Sequence, residues 1–330
     1  QLEREFTQEG SYLSSRRINE HIYVVTNKYV YYFQDMPNDD YMIPATKDSS
    51  FEDGWKMVEA EAIYVVEQSD FSSFVVLSAI DTSDPESTPD TKAVLGSGHN
   101  MYASPSNIYI ANTQYRYEQS EGTDVVEGNA ADGDTAVSSD QKPAIDAIVD
   151  DVFRIFQPPV YTVFTDIFRF EIYDGVITPK GSGKVPGYIL NQFAMDENNG
   201  YFRIATTTGD TWREDEFTSM NNLYILDADL KIVGKVEGLA TRETIRSVRF
   251  MGKMAYMVTF RTTDPLFVLD LSDPRNPQVK GELKIPGYSQ YLHPISDTIL
   301  VGFGREAIEE GDRAIELGIK LSVFDVSDVS

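Results

Sequence analysis

Residues 247–260, SVRFMGKMAYMVTF, read as a strand, a Met-Gly-Lys turn and a second strand of alternating apolar positions. A polar turn followed by an apolar run of period two is the signature of a hairpin. The same shape returns at 15–27, 102–113, 193–207 and 291–303. A second pattern follows the hairpins. Apolar strands end in an Asp-rich corner at 78–87 (SAIDTSDPES), 267–277 (FVLDLSDPRNP) and 322–330 (SVFDVSDVS), with a looser copy at 223–232 (LYILDADLKI). Asp and Ser side chains cap their own turns, and proline stops a strand because it cannot donate to a ladder. A third pattern leads out of the corner. PQVKGELKIPGYSQYL (277–292) aligns without a gap with QLEREFTQEGSYLSSR (1–16) from Gln278 and Gln1, and GKVPGYILNQF (183–193) is a further copy.

Together these patterns make a unit of four short strands. The cleanest copy spans 244–287, about 44 residues, which falls in the period range of four-stranded propeller blades. Five units begin near Tyr12, His99, Tyr188, Thr244 and Tyr288. The fold expected over residues 1–330 is a single all-β domain, a β-propeller of five four-stranded blades. Residues 1–10 copy an outer strand, and the last unit lacks one. The N-terminal strand is therefore expected to complete the final blade, closing a ring that protects its edges.

Two insertions break the repeat. Residues 34–60 read as a long irregular connection. Residues 116–142 are acidic and of low complexity. A change of period follows, with Ile145, Ile148, Val149, Val152, Phe153 and Phe156 on one helical face. This predicts a helix over 143–157, stopped by Pro158-Pro159 and packed on the rim.

The segment 247–294 resembles a family of secreted bacterial and archaeal β-propeller proteins distantly similar to WD-repeat proteins. So do LNQFAMDENNGYFRIATT (190–207), EGSYLSSR (9–16) and KLSVFDVSD (320–328). The resemblance implies export and a surface or extracellular location. It implies no particular activity.

Composition narrows the partners. Against 53 acids stand 28 lysines and arginines, a formal charge of −25. Such a chain repels nucleic acid and anionic membranes. No apolar run reaches the length of a membrane span. The chain has no cysteine, which excludes disulfides and thiolate chemistry. It begins at Gln1 and reads as mature or trimmed, with no signal segment in this chain. A monomer is expected.

Candidate chemistry is sparse. His21, His99 and His293 form no zinc-binding spacing, so no metal centre is expected. The Asp-x-Ser-Asp corners (Asp81/Asp84, Asp270/Asp273, Asp325/Asp328) offer two carboxylates each, too few for calcium without help from a neighbouring loop. No cofactor is expected beyond weak calcium binding. ATTTGDTW (205–212) resembles a sialidase Asp-box, but Ala205 and Thr207 stand where its serine and aspartate belong. In a propeller the first strand of each blade lines the channel. The binding candidates on that face are Arg16, Tyr102, Asn191, Gln192, Arg246, Arg249, Tyr291 and His293. The function these features suggest is a binding or scaffolding module for protein or glycan at the cell envelope. Two alternatives stand beside it: a hydrolase or lyase acting on polysaccharide through carboxylates at the channel, and a structural domain of a longer secreted protein.

Overall fold

A computed structural model describes residues 3–30, 42–51, 54–65, 72–117, 161–261, 264–310 and 313–327. Strand β1 (Phe6–Gln8) precedes the first hairpin, β2 (Ser11–Ile18) and β3 (His21–Tyr29). Next come β4 (Ala45–Asp48), β5 (Trp55–Met57) and β6 (Ile63–Tyr64). β7 (Ser73–Asp81) and β8 (Asp90–Leu95) complete a sheet of order β2-β3-β7-β8-β6, in which only β6 pairs in parallel.

Three four-stranded sheets follow in chain order. With the β2-β3-β7-β8-β6 sheet as the first, the second holds β9 (Asn100–Ala103), β10 (Asn107–Tyr117), β11 (Tyr161–Tyr173) and β12 (Val176–Pro186). The next holds β13 (Met195–Asn198), β14 (Tyr201–Thr208), β15 (Met220–Leu226) and β16 (Ile232–Leu239). The fourth holds β17 (Thr244–Met251), β18 (Met254–Phe260), β19 (Asp264–Asp270) and β20 (Gln278–Ile285). A last sheet has three strands, β21 (Tyr288–Pro294), β22 (Ile299–Glu310) and β23 (Arg313–Asp325). Of the predicted unit starts, Thr244 and Tyr288 open β17 and β21, His99 directly precedes β9, Tyr12 is the second residue of β2, and Tyr188 lies well ahead of β13.

The sheets stack, and period two explains how. On β18, Ala255 and Met257 join a core shared with the sheet before, while Tyr256, Val258 and Phe260 join one shared with the sheet after. On β10, Ile108 and Ile110 face the first sheet, and Tyr109 and Ala111 face the third. Middle strands are therefore apolar on both faces, as expected of sheets covered on two sides. Polar side chains register the joints. Asn27 Nδ2 donates to Gly98 O at 2.7 Å and Asn27 Oδ1 accepts from Gly98 N at 2.9 Å. Ser247 Oγ donates to Ser289 O at 2.6 Å.

A glycine opens several repeats. Gly10, Gly187 and Gly287 have φ of +102°, +90° and +77°, and a Cβ there would meet the carbonyl oxygens of Asn27, Thr207 and Arg305 at 2.5, 2.6 and 2.2 Å. Both the conformation and the close approach exclude a side chain.

The N-terminal strand departs from expectation. β1 pairs with β4, Phe6 opposite Asp48, in a separate sheet of order β1-β4-β5, and leaves β23 without an outer partner among the described residues. The reason lies in the 34–60 stretch, which holds strands rather than an irregular connection alone. Its β4 edge captures β1, and the buried Arg4–Asp48 pair, 2.5 Å apart, locks the register. Val58, Ala62 and Ile63 then pack with Phe74, Val76, Ala93 and Leu95 on the outer face of the first sheet.

The chain separates into two compact units, 1–114 with 163–330, and 115–162. In the second unit the described residues are the tail of β10 and the start of β11, where the Tyr115 and Tyr161 rings lie 5.7 Å apart. The expected helix over 143–157 and nearly all of the 116–142 insertion lie outside the described residues.

Candidate functional site

Counting ladder pairs back from each first hairpin turn picks out one level of the structure. Two pairs from the turn stand Arg16 on β2, Tyr102 on β9, Asp196 on β13, Arg249 on β17 and His293 on β21. Their ladder partners are Tyr23, Tyr109, Arg203, Tyr256 and Val301. Three of these strands also carry a bulge at a matching place, between Tyr12 and Ser14, Ile245 and Ser247, and Ser289 and Tyr291. A bulge re-aims the residues that follow it. Arg16, Arg249 and His293 each lie four residues beyond the first residue of that bulge. Four of the eight predicted candidates thus share one level, and Asp196 completes it.

Asp196 is the acid of this level. Its Oδ2 accepts from the buried Arg203, 2.9 Å from Nε with a second contact from the same guanidinium, and Arg203 also donates to Gly252 O at 2.6 Å. Tyr102 Oη lies 3.5 Å from Asp196 Oδ1, and Arg249 acts on the carboxyl electrostatically. Burial nevertheless raises the Asp196 pKa above its ordinary value, against the pull of Arg203. Burial likewise raises the Tyr102 phenol, and the neighbouring Asp196 charge adds to it. Arg249 Nε is buried with no hydrogen-bond partner among the described residues.

A short 3-10 turn, Gln192–Ala194, reaches β9 and β17 at once. Asn191 shapes it by accepting from Phe193 N at 2.9 Å. Gln192 Oε1 accepts from Arg16 at 3.1 Å, tying the first sheet to the third, while Arg16 also donates to Ser15 O at 2.7 Å. The exposed Phe193 ring meets Tyr291 edge-on at 5.6 Å, and Tyr291 Oη is 3.1 Å from His293 Nδ1. Arg16, Asn191, Gln192, Tyr291 and His293 are thus connected through this one turn. The cluster offers exposed aromatic rings and an imidazole, beside two half-buried amides and a half-buried guanidinium. Such a set can stack against C–H faces and donate to hydroxyl or carboxylate oxygens.

Other residues stand apart. Arg246 sits at the β17 bulge, with its guanidinium 5.4 Å from the Tyr288 ring and 5.8 Å from Phe260. The corner aspartates cap turns: Asp81 Oδ1 accepts from Ser83 N, Asp270 Oδ1 from Ser272 N and Asp325 Oδ1 from Ser327 N. Residues 205–208 run within β14, where Thr207 Oγ1 donates to Asn221 at 2.8 Å, so the Asp-box likeness ends at the sequence. Among the described residues no three His, Asp or Glu side chains gather as a metal site. A separate cleft of about 320 Å³ lies between the β1-β4-β5 sheet and β8, lined by Phe6, Phe51, Lys56 and Lys92 among others.

Sequence reasoning missed Asp196, Arg203 and Phe193. The available signal was positional: Asp196 stands two places before the Asn-Asn-Gly turn, where Arg249 stands relative to Met-Gly-Lys.

Comparison with known proteins follows the same outline. A family model described as "Beta propeller domain" matches residues 1–330. An uncharacterized protein of Methanocaldococcus jannaschii is 55% identical over 150 residues, 45% of this chain and 22% of that protein. One of Archaeoglobus fulgidus is 47% identical over 166 residues, 50% of this chain and 24% of that protein. The matched stretches cover less than a quarter of the length of these relatives. Among solved structures, a cobalt-substituted Synechocystis ACO aligns with a TM-score of 0.38 at 12% identity, over 79% of this chain and 55% of that one. A likeness of that degree carries nothing about chemistry.

Proposed function

This chain belongs to the beta propeller domain family, and we propose that it is a recognition module of the cell surface or the extracellular space. Its ligand in this reading is a glycan bearing carboxylates, held where the first strands converge on the 192–194 turn. One observation carries the reading: the exposed Phe193–Tyr291–His293 cluster stands in the same connected group as Arg16 and Gln192. Aromatic rings suit sugar C–H faces. The guanidinium suits a carboxylate, and it puts a local positive charge on a chain of net charge −25. The rigid stack of sheets holds these groups in place before a ligand arrives, which lowers the ordering cost of binding.

The test is affinity capture of fractionated envelope polysaccharide by the 330-residue chain, beside its Arg16→Ala and Tyr291→Ala variants. Retention of an acidic polysaccharide, weakened about tenfold by either variant, supports the reading. Retention unchanged in both variants, or of a single protein only, overturns it. A second reading rests on Asp196. A carboxyl whose pKa burial raises, close to Tyr102, has the property of a general acid. New reducing ends appearing in the captured polysaccharide would favour that reading.

A further inference from the structure

The last sheet is turned inside out relative to a soluble edge. On β23 the apolar residues Ile315, Leu317, Ile319, Leu321 and Val323 are 39%, 57%, 72%, 64% and 63% exposed. The residues between them point the other way, into the protein. Glu316 accepts from Tyr288 Oη at 2.6 Å, Lys320 pairs with Glu306 at 3.1 Å, and Phe324 is buried against the preceding sheet. The ladder carries the exposed face across to β22, where Phe303 lies opposite Leu321 and Ile308 opposite Ile315. Phe303 and Ile308 are also exposed. The result is an apolar face two strands wide, interrupted on β22 by the exposed Arg305 opposite Ile319, beside an outer edge that has no partner among the described residues. Patches of this kind mark interaction surfaces, and an open edge is a template for further pairing.

What such a face receives is shown four times in the same molecule. Each joint between successive sheets is an apolar face of one laid on an apolar face of the next. The opposite end of the stack is covered, since the first sheet carries Val58, Ala62 and Ile63 on its outer face. The relatives are more than four times as long as the stretch they share with this chain, so their polypeptides have length for further sheets. We infer that the exposed face of β22 and β23 is a docking surface for a further antiparallel sheet of this same repeat, supplied by the same polypeptide and stacked as the preceding sheets are. This goes beyond the recognition reading and does not depend on it.

The test compares the 330-residue chain with the same chain extended by one repeat, about 45 residues, of its own downstream coding sequence. Hydrogen exchange on 315–323 is expected to be fast in the first and slowed at least a hundredfold in the second. Leu321→Lys is expected to lower the melting temperature of the extended chain by about 5 °C and to leave that of the 330-residue chain unchanged. The inference is overturned by a coding sequence that stops at Ser330, or by equal exchange in both chains. It is also overturned if the 330-residue chain forms a stable dimer that Leu321→Lys dissociates, because a second copy would then be the occupant.

Discussion

Gly287 and Gly252 separate two costs that are usually merged. Both have positive φ, +77° and +56°, but a Cβ on Gly287 would meet Arg305 O at 2.2 Å, whereas Gly252 has nothing within 4 Å. Gly252→Ala is expected to cost about 1 kcal/mol, the left-handed penalty alone. Gly287→Ala adds a backbone clash and is expected to cost about 3 kcal/mol. Urea unfolding of both variants checks the difference, and equal losses would contradict it. Asp196 gives a residue-scale test of charge. Its folded pKa is raised by burial, so the folded state binds that proton more tightly than the unfolded chain does. The stability this confers is complete below the unfolded value near 3.8 and is lost as pH rises through the folded value. Asp196→Asn removes that loss. Relative to the wild type, its melting temperature is expected to improve as pH rises above about 4 and through the folded value. A difference that stays flat across that range would show that Arg203 fully compensates the charge.

Strands and hairpins were legible where their pattern is local. The alternation in 247–260 and its copies marks β17–β18, β2–β3, β9–β10, β13–β14 and β21–β22, because period two and a turn lie within one short window. The partner of β1 was not legible. Its residues read like the outer-strand copies, but pairing is decided by which edge is near, and the edge is β4. β4 (ATKD) and β5 (WKM) are four and three residues long, too short to show a period. The same divide holds at the site. Arg16, Arg249 and His293 stand out as unusual residues at matching places, while Asp196 is one acid among 53. At this scale the Arg4–Asp48 pair supports the β1-β4-β5 sheet. Burial alone would raise the Asp48 pKa, but hydrogen bonds from Arg4 and Ser50 outweigh it and hold the group below its ordinary value. Its contribution is therefore present above about pH 3.8 and lost as pH falls through the folded value. Asp48→Asn is expected to speed hydrogen exchange of β4 at pH 7, and the gap from wild type is expected to close on acidification below about pH 4. A gap that persisted in acid would assign the effect to packing.

Among the described residues, the chain gathers the ends of its first strands around one turn. The proposed recognition site is the gathered end, and Arg246, which stacks on Tyr288 and Phe260 at the bulge, takes no part in it. The charge of the chain also makes the contact sensitive to salt, because a carboxylated ligand must approach a chain of −25. The measurement that tests this most directly is calorimetric titration of the 330-residue chain with an oligogalacturonate, beside the neutral oligomer of the same length. The account predicts binding of the acidic oligomer only, about tenfold weaker in Arg16→Ala and within twofold of wild type in Arg246→Ala. No heat from the acidic oligomer, or equal losses in the two arginine variants, would contradict it.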